Sequence, residues 1–284
     1  MKFGIVNTIF VSEPDEAAAL GVLVEQAGFE SIWTVEHVVI PVQYESRYPY
    51  ARSGKMPGRE ETPLADPLIW LTWLAAHTTT LKLATGVLIL PQRNPLILAK
   101  EVATLDRLSG GRVMLGVGVG WLKEEFDALG AEFSNRGART DEYISVLREL
   151  WAEREASFRG RWIDFDPVRM FPKPDNTTSV PIHVGGHSPA AARRAGRLGD
   201  GYYPTTTDLT ELASRFALAR STAQEAGRDP DAIEMTCAGA RDLAGVEQRA
   251  ELGADRILIP LLGPTIEDCK RQVGEFAEQV IGKL

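Results

Sequence analysis

The sequence has little of the chemistry on which several common classes of protein depend. It contains only two cysteines, Cys237 and Cys269, and only four histidines in 284 residues. Two cysteines cannot form a disulfide framework, and neither has the spacing of a zinc-ligand pair. No histidine belongs to a His-x-His or His-Glu-x-x-His motif. A metal-dependent barrel hydrolase is therefore a weak hypothesis, and no metal site is predicted.

Basic clusters and long apolar runs are also scarce. The net charge is -8 and no block of Lys or Arg occurs, which argues against nucleic acid or an anionic membrane as a partner. No apolar run is as long as a membrane span. The opening residues, MKFGIVNTIF, are too short for a secretory signal and predict a first strand instead. We expect a cytoplasmic protein that acts on a small molecule.

Two familiar catalytic and binding motifs are missing as well. No Gly-x-Ser-x-Gly sequence occurs, which removes the usual signature of a serine hydrolase. The segment LGVGVGW resembles a dinucleotide-binding loop, but Trp121 stands where its third glycine should be. Its glycines, Gly116 and Gly118, either let the strand approach a flat group or relieve crowding.

What the sequence does contain is a regular alternation of strand-like and helix-like segments. Eight apolar runs, each followed by a segment of helical period, predict a (β/α)₈ barrel formed by one domain over residues 1–284. An open doubly wound sheet is the alternative. Asp66-Pro67 and Asn94-Pro95 predict helix starts, and one long helical region is expected from Lys123 to about Glu155. The runs are FGIVNTIF, SIWTVEHVVI, LKLATGVLIL, RVMLGVGVG, VPIHVGG, DGYYPT, IEMTCAGA and RILIPLL.

Two connections are longer than an ordinary loop. Residues 38–65 follow the second strand, so they should lie on the carboxyl-end face of the barrel, where the active sites of such enzymes lie. Tyr44, Tyr48 and Tyr50 in this loop are candidates for substrate contacts, or they only pack the loop. Residues 156–180 precede the fifth strand and are expected to form a hairpin.

The segment HVGGHSPAAARRA predicts a phosphate site. A strand ends at Gly185 and Gly186, and a helix opens with Ser188 as N-cap and Pro189 in its first turn. Small glycines, unpaired backbone N–H groups and the positive end of the helix dipole then face one point. The alternative is a tight strand–helix turn that binds nothing.

Two polar interruptions fall inside apolar strands. Thr85-Gly86 in the third strand indicates either a bulge needed for closure or a contact with a ligand. Glu36-His37 ends the second strand, and adjacent residues of a strand point to opposite faces, which disfavours a shared metal. His77 and His183 are expected to be structural.

Taken together, several segments resemble the luciferase-like flavin and deazaflavin oxidoreductases, above all the actinobacterial branch that uses coenzyme F420. The resemblance covers the whole chain and implies a (β/α)₈ barrel, a homodimer and a deazaflavin (8-hydroxy-5-deazaflavin) across the barrel mouth, with hydride passing to or from a small organic substrate. An FMN-dependent monooxygenase on the same barrel is the nearest alternative, and an F420-binding protein with little turnover is another. The segments are WTVEHVVIP, SRYPY, TGVLILPQRNPLILAKEVATLDRLSGGR, LGVGVGWLKEEFDALG, RGARTDE and VPIHVGG.

The resemblance also implies roles for individual residues. His37 is the expected proton donor or positioner near the reacting edge. Glu36, where the family commonly has aspartate, is expected as a second catalytic residue at the rim of the same pocket, where it would orient His37 or contact the cofactor. The sugar-phosphate dehydrogenase branch has a catalytic carboxylate where this chain has Val119, so its proton-transfer scheme does not carry over. Arg136, Arg139 and Arg241 are candidates for binding an anionic group. The cofactor-binding residues it implies are His37, Thr85, Gly86, Val87, Gly116, Gly118, Trp121, Gly185, Gly186, His187 and Ser188, with a bulge at Gly86-Val87.

Overall fold

Strands and helices alternate along the computed structural model, which describes residues 1–7, 13–56, 61–175, 179–262 and 265–284. The strands are β1 Lys2–Asn7, β2 Ser31–Thr34, β3 Lys82–Thr85, β4 Leu88–Ile89, β5 Val113–Gly118, β6 Ala156–Arg159, β7 Asp164–Val168, β8 Ile182–Gly185, β9 Gly201–Tyr203, β10 Glu234–Ala238 and β11 Arg256–Leu261. The helices are α1 Pro14–Gln26, α2 Pro67–His77, α3 Pro95–Ser109, α4 Lys123–Ala128, α5 Arg136–Ala152, α6 Pro189–Leu198, α7 Leu209–Glu225, α8 Leu243–Glu251 and α9 Ile266–Gln279. Short 3₁₀ turns cover Leu90–Gln92, Pro230–Ala232 and Ile281–Lys283.

The parallel strands close into a barrel. The order of neighbours is β3-β2-β1-β11-β10-β9-β8-β5-β4, and a further pairing of β3 with β5 joins the two ends. In that pairing Leu83 lies opposite Val113 and Ala84 opposite Met114. Because β3 and β4 are two pieces of one barrel position, the barrel has eight positions. The predicted (β/α)₈ barrel is confirmed, and the open-sheet alternative is wrong.

The third barrel strand is divided where the sequence indicated an interruption. Gly86 and Val87 separate β3 from β4, and the peptide bond between them is cis. The Gly86 N–H donates to the Thr34 carbonyl at 2.6 Å. The structure therefore has a break at the bulge that the family resemblance implied.

The predicted helix starts are correct, but two predicted elements differ. The side chains of Asp66 and Asn94 cap α2 and α3, each accepting two backbone N–H groups. The second strand ends at Thr34, so Glu36 and His37 follow the strand rather than belonging to it. The helical region after Lys123 is two helices, because the chain turns at Gly130, whose φ is +66°, before α5 begins.

Side chains inside the barrel form a small cluster of their own. Val6, Trp33, Ala84, Met114, Tyr203 and Leu258 pack together, whereas the residues beside them on the strands belong to the larger core under the helices. This alternation is expected of barrel strands. At the amino end of the strands, buried Arg256 pairs with Glu30 and Glu234.

The long segment before the fifth barrel strand contains the expected hairpin. β6 and β7 pair antiparallel, and residues 176–178 of this segment lie outside the described residues. The Glu142 carboxylate on α5 accepts the backbone N–H groups of residues 161, 162 and 163, each at 2.8 Å. Among the described helices, none is both long and apolar enough to cross a membrane.

Candidate active site

The predicted site residues meet at the carboxyl ends of the barrel strands. Glu36 and His37 follow β2, Thr85 ends β3, Trp121 follows β5 and His187 follows β8. Since the strands are parallel, these ends lie at the same mouth of the barrel, the face that carries catalysis in this architecture. The fold thus brings together residues that are up to 151 positions apart.

His37 is held by a carboxylate that the sequence did not reveal. Its Nδ1 lies 3.0 Å from Oε2 of Glu125 on α4, and the Glu125 side chain is only 2% exposed. The other oxygen, Oε1, accepts the Val38 N–H at 2.7 Å and the Val39 N–H at 3.3 Å. One buried carboxylate therefore fixes both the imidazole and the backbone that follows it.

Glu36 lies in a different environment from its neighbour. Its Oε2 accepts the Ile89 N–H at 2.6 Å, and its Oε1 accepts from Arg93 Nε at 2.9 Å. Arg93 also donates to Asp66 Oδ2 at 2.7 Å. Burial raises the pKa of Glu36, while the charge of Arg93 and the Ile89 N–H oppose that rise. The structure places this carboxylate inside an ion-pair cluster beside β4 rather than on an open rim.

Aromatic rings extend across the mouth from His37 to His187. Trp121 contacts His37 edge-on at 5.9 Å between ring centroids and Tyr48 at 5.2 Å. Tyr48 contacts Tyr50, and Tyr50 contacts His187, each at 5.2 Å. Burial raises the pKa of both tyrosines, so they are neutral phenols at physiological pH. We call these five side chains the aromatic chain.

The aromatic chain depends on the long loop after β2. Tyr44 also packs against Trp121, at 5.7 Å. Glu124, next to Glu125 on α4, accepts the Glu45 N–H at 2.7 Å and the Ser46 N–H at 3.1 Å. The loop therefore lies on the carboxyl-end face as predicted, although residues 57–60 lie outside the described residues.

The glycines at the strand ends are required by the protein's own packing. A Cβ on Gly116 would lie 1.8 Å from the Thr85 carbonyl oxygen, and Thr85 Oγ1 donates to the Gly116 carbonyl at 2.6 Å. A Cβ on Gly118 or on Gly185 would lie 2.5 Å from a methyl group of Val87. Relief of crowding explains these glycines, and their contact with a cofactor stays a prediction.

The predicted phosphate site has the geometry of an anion cradle. Gly186 has φ of +113°, and Ser188 caps α6 by accepting the Ala191 N–H at 3.2 Å. The Gly186 N–H is already bonded to the Tyr203 carbonyl. In the described part of the chain, no hydrogen bond uses the N–H groups of His187, Ser188 and Ala190. These groups fit a phosphate at the helix start.

Two of the three predicted anion-binding arginines hold the chain instead. Arg136 donates to the carbonyls of Gly120 and Phe133 and stacks on the Phe133 ring at 3.8 Å. Arg139 donates to the Glu132 carbonyl at 2.7 Å and is 8% exposed. Both arginines thus stabilise the connection between α4 and α5. Arg241 lies exposed after β10, and its binding role stays a prediction.

Sequence reasoning missed Glu125, Arg93 and Asp66 as parts of this site. Glu124-Glu125 looks like the acidic first turn of any helix, so the sequence carries no signal for the contact with His37. A signal for Arg93 did exist, because a carboxylate in an apolar run needs a cation. Which cation pairs with Glu36 depends on the fold, because Arg93 lies 57 residues further along the chain.

His77 and His183, the remaining histidines, each lie beside an oxygen of the protein. His77 is at the end of α2, with Nδ1 2.8 Å from the Trp73 carbonyl oxygen. His183 is 2% exposed inside the barrel, with Nε2 3.6 Å from Glu234. Burial raises the pKa of the Cys237 thiol to about 12. No group of three or more metal-binding side chains is present among the described residues.

A family comparison identifies the type of barrel. The family model described as luciferase-like monooxygenase matches residues 1–262. The chain belongs to this family. It is an oxidoreductase, as the resemblance in its sequence implied.

Relatives of this luciferase-like oxidoreductase include uncharacterised and named proteins. An uncharacterised protein of Mycobacterium tuberculosis is 32% identical over 269 residues, which are 92% of each chain. An F420-dependent glucose-6-phosphate dehydrogenase of Kineococcus radiotolerans is 31% identical over 242 residues, 83% of this chain and 66% of that protein.

Solved structures share the barrel of this luciferase-like protein at low identity. Monooxygenase RslO1 from Streptomyces bottropensis superposes with a TM-score of 0.80 at 24% identity, covering 100% and 99% of the two chains. The coenzyme F420-dependent tetrahydromethanopterin reductase from Methanopyrus kandleri gives 0.80 at 17% identity, covering 99% of both. At these identities the likeness concerns the fold alone.

Proposed function

We propose that this protein is a coenzyme F420-dependent oxidoreductase that transfers hydride between the deazaflavin and a carbonyl or hydroxyl carbon of a small organic substrate. The observation that carries the proposal is the arrangement of His37. Its Nδ1 is bound to buried Glu125, and no hydrogen bond in the described residues uses its Nε2. A histidine held by one nitrogen at the carboxyl-end mouth is suited to general acid–base chemistry with the other.

The cradle and the relatives support the choice of cofactor. The N–H groups of His187, Ser188 and Ala190 would hold the cofactor phosphate, and the break at Gly86-Val87 would contact its ring. Named relatives carry F420 dependence in their names. When bound, F420 supplies a site that accepts or donates hydride, while the protein supplies binding and orientation.

The chain's own residues have three tasks in this proposal. His37 moves a proton at Nε2 to or from the substrate oxygen. The aromatic chain orients the substrate by ring contacts and excludes water from the mouth. Glu36, through Arg93 and the Ile89 N–H, fixes the strand segment after the break, so we assign it a positioning role.

An FMN-dependent monooxygenase is the second candidate. The monooxygenase of the same fold favours it, as does the description of the family. A protein that binds F420 with little turnover is the third candidate. All three would use the same cradle, so they differ in the ring that binds and in the reaction that follows.

Turnover in the presence of each cofactor tests the proposal. The protein is mixed with oxidised F420 and a panel of small alcohols, or with reduced F420 and the matching carbonyl compounds, under nitrogen. We expect the visible absorbance of the deazaflavin to change in step with substrate conversion. Turnover that requires FMN and dioxygen would support the monooxygenase instead. Saturable F420 binding without conversion of any compound would support the binding protein.

A further inference from the structure

We infer that Glu125 is a positioning residue that sets the tautomer of His37, so that Nε2 is the nitrogen that exchanges the proton. This inference rests on the proposed function for its chemical consequence, but its geometry is independent of any cofactor.

The Glu125 carboxylate can form hydrogen bonds in one direction only. An ionised carboxylate only accepts hydrogen bonds. Glu125 Oε1 already accepts the N–H groups of Val38 and Val39, so this carboxylate is held by two backbone donors. With Oε1 occupied by these donors, the carboxylate presents Oε2 to His37 as an acceptor.

This acceptor determines which nitrogen of the His37 imidazole carries the proton. A neutral histidine carries one proton, on either Nδ1 or Nε2. Nδ1 lies 3.0 Å from Glu125 Oε2, and because a carboxylate oxygen can only accept, Nδ1 of a neutral ring must be the donor. The proton is therefore on Nδ1, and Nε2 carries the lone pair. The tautomer of a histidine is generally set in this way by the partner of its other nitrogen.

The surroundings of His37 fix the direction of its ring. The His37 side chain is 10% exposed and packs edge-on against Trp121. The backbone immediately after His37 is bonded to the same carboxylate. Ring, backbone and acid thus form one unit, and Nε2 is the nitrogen left for the substrate.

The tautomer of His37 determines how the proton moves in the proposed reaction. F420, when bound, would accept or supply the hydride. In alcohol oxidation, His37 Nε2 would take the hydroxyl proton as the carbinol carbon loses hydride and becomes a carbonyl carbon. In the reverse direction, His37, protonated on both nitrogens, would give its Nε2 proton to the alkoxide oxygen that forms as the carbonyl carbon receives hydride. The Glu125 carboxylate faces the imidazolium and stabilises its charge.

The imidazole ¹⁵N chemical shifts of the cofactor-free protein test the inference directly. The four histidines are labelled with ¹⁵N, and the resonance lost in His37→Gln identifies His37. At a pH where the ring is neutral, we expect wild-type His37 to be protonated on Nδ1. In Glu125→Gln, the amide can donate to Nδ1, so we expect the proton to move to Nε2.

Glu124→Gln is the matched control. Glu124 is the preceding acid on the same helix, but it bonds the backbone of residues 45 and 46 rather than His37. We expect this variant to keep the wild-type tautomer. A wild-type ring protonated on Nε2 would overturn the inference, even if Glu125→Gln fails to fold. A tautomer that is the same in Glu125→Gln and wild type would also overturn it.

Turnover separates failure of the inference from failure of the proposed function. We expect Glu125→Gln to lower turnover by roughly 10² to 10⁴-fold, with F420 affinity unchanged. Absence of turnover in the wild type would contradict the proposed function and leave the tautomer result intact. Equal turnover in Glu125→Gln and wild type would contradict the inference alone.

Discussion

Two buried carboxylates, Glu36 and Glu125, lie near the end of the second barrel strand, and they have opposite kinds of partner. Glu36 is 4% exposed and is bonded to Arg93, a permanent cation. Glu125, counted as a whole residue in the same way, is 1% exposed and is bonded to His37, a titratable ring with a second nitrogen. Depth of burial therefore does not distinguish the two sites. The distinction is whether the partner retains an atom that can exchange a proton.

We assign a role in stability to the Glu36 cluster and a role in proton transfer to the pair His37–Glu125. Arg93 pairs with both Glu36 and Asp66, and these ion pairs hold α2, β4 and the connection after β2 together. The pair His37–Glu125 holds the start of the long loop, and it also presents Nε2 at the mouth. Substitutions in the two clusters should separate folding from turnover.

The largest effect is expected from Arg93→Met, which should lower the free energy of unfolding by about 3–5 kcal/mol because it leaves Glu36 buried without a cation. Urea denaturation measures the change. Arg159→Met is the control, since Arg159 is 61% exposed in its pairs with Asp164 and Asp166, and it should lower the free energy of unfolding far less than Arg93→Met does. Equal effects of the two substitutions would show that the Glu36 cluster is not structural.

His37→Asn should act on turnover rather than on folding. The asparagine amide can still donate to Glu125, but no ring nitrogen remains for proton transfer. We expect turnover to fall by about 10²-fold, or about 3 kcal/mol of activation free energy, with F420 affinity nearly unchanged. Steady-state kinetics and a binding titration measure both. A loss confined to affinity would make His37 a binding residue.

A third buried site, at the amino half of the barrel, gives a pH-dependent contrast. Burial and nearby Arg256 lower the pKa of His183 from 6.5 to about 4. The unfolded chain then binds the extra proton more readily, so stability should fall as pH drops from 6.5 towards 4, by about 2 kcal/mol at pH 5. His183→Gln should remove this part of the pH dependence. Parallel pH profiles of the two proteins would contradict the assignment.

The smallest effect is expected from Glu124→Gln, because an amide oxygen can still accept the Glu45 and Ser46 N–H groups. The free energy of unfolding should change by less than about 1 kcal/mol, and amide exchange should quicken only at these two residues. Burial alone would raise the pKa of Glu124, but a hydrogen bond from the Ser46 side chain, together with backbone hydrogen bonds, lowers it to about 2. The contact therefore persists above pH 4.5 and is lost as pH falls towards 2. Exchange that quickens throughout the protein would contradict a local role.

Much of the fold was predictable, because it depends on local patterns. Alternating strands and helices gave the eight-position barrel, and Asp66, Asn94 and Ser188 capped the expected helices. The end of β2 could not be predicted from the sequence, since the apolar, β-branched residues after Thr34 suit a strand equally well. Nothing local shows that the chain leaves the sheet there.

The sequence predicted where the candidate site lies, but not which side chains form hydrogen bonds with each other in it. The pattern of glycines and the helix start after the fifth strand predicted the cradle, and the resemblance indicated His37 and the strand break. The partners of Glu36 and His37 lie 57 and 88 residues further along the chain, and only the closed barrel brings them together. The glycines at β5 were predicted as cofactor contacts, whereas their contact with Thr85 and Val87 depends on the path of the strand break.

An equilibrium titration of the protein with oxidised F420 and, separately, with FMN, followed by cofactor fluorescence, tests the proposed F420 dependence most directly. Gly186→Leu serves as the variant with a blocked cradle, because the Gly186 φ of +113° disfavours any side chain. We expect saturable F420 binding that is markedly weaker in Gly186→Leu, with weaker binding of FMN. Tight FMN binding without F420 binding, or F420 binding unchanged by Gly186→Leu, would contradict F420 dependence through this cradle.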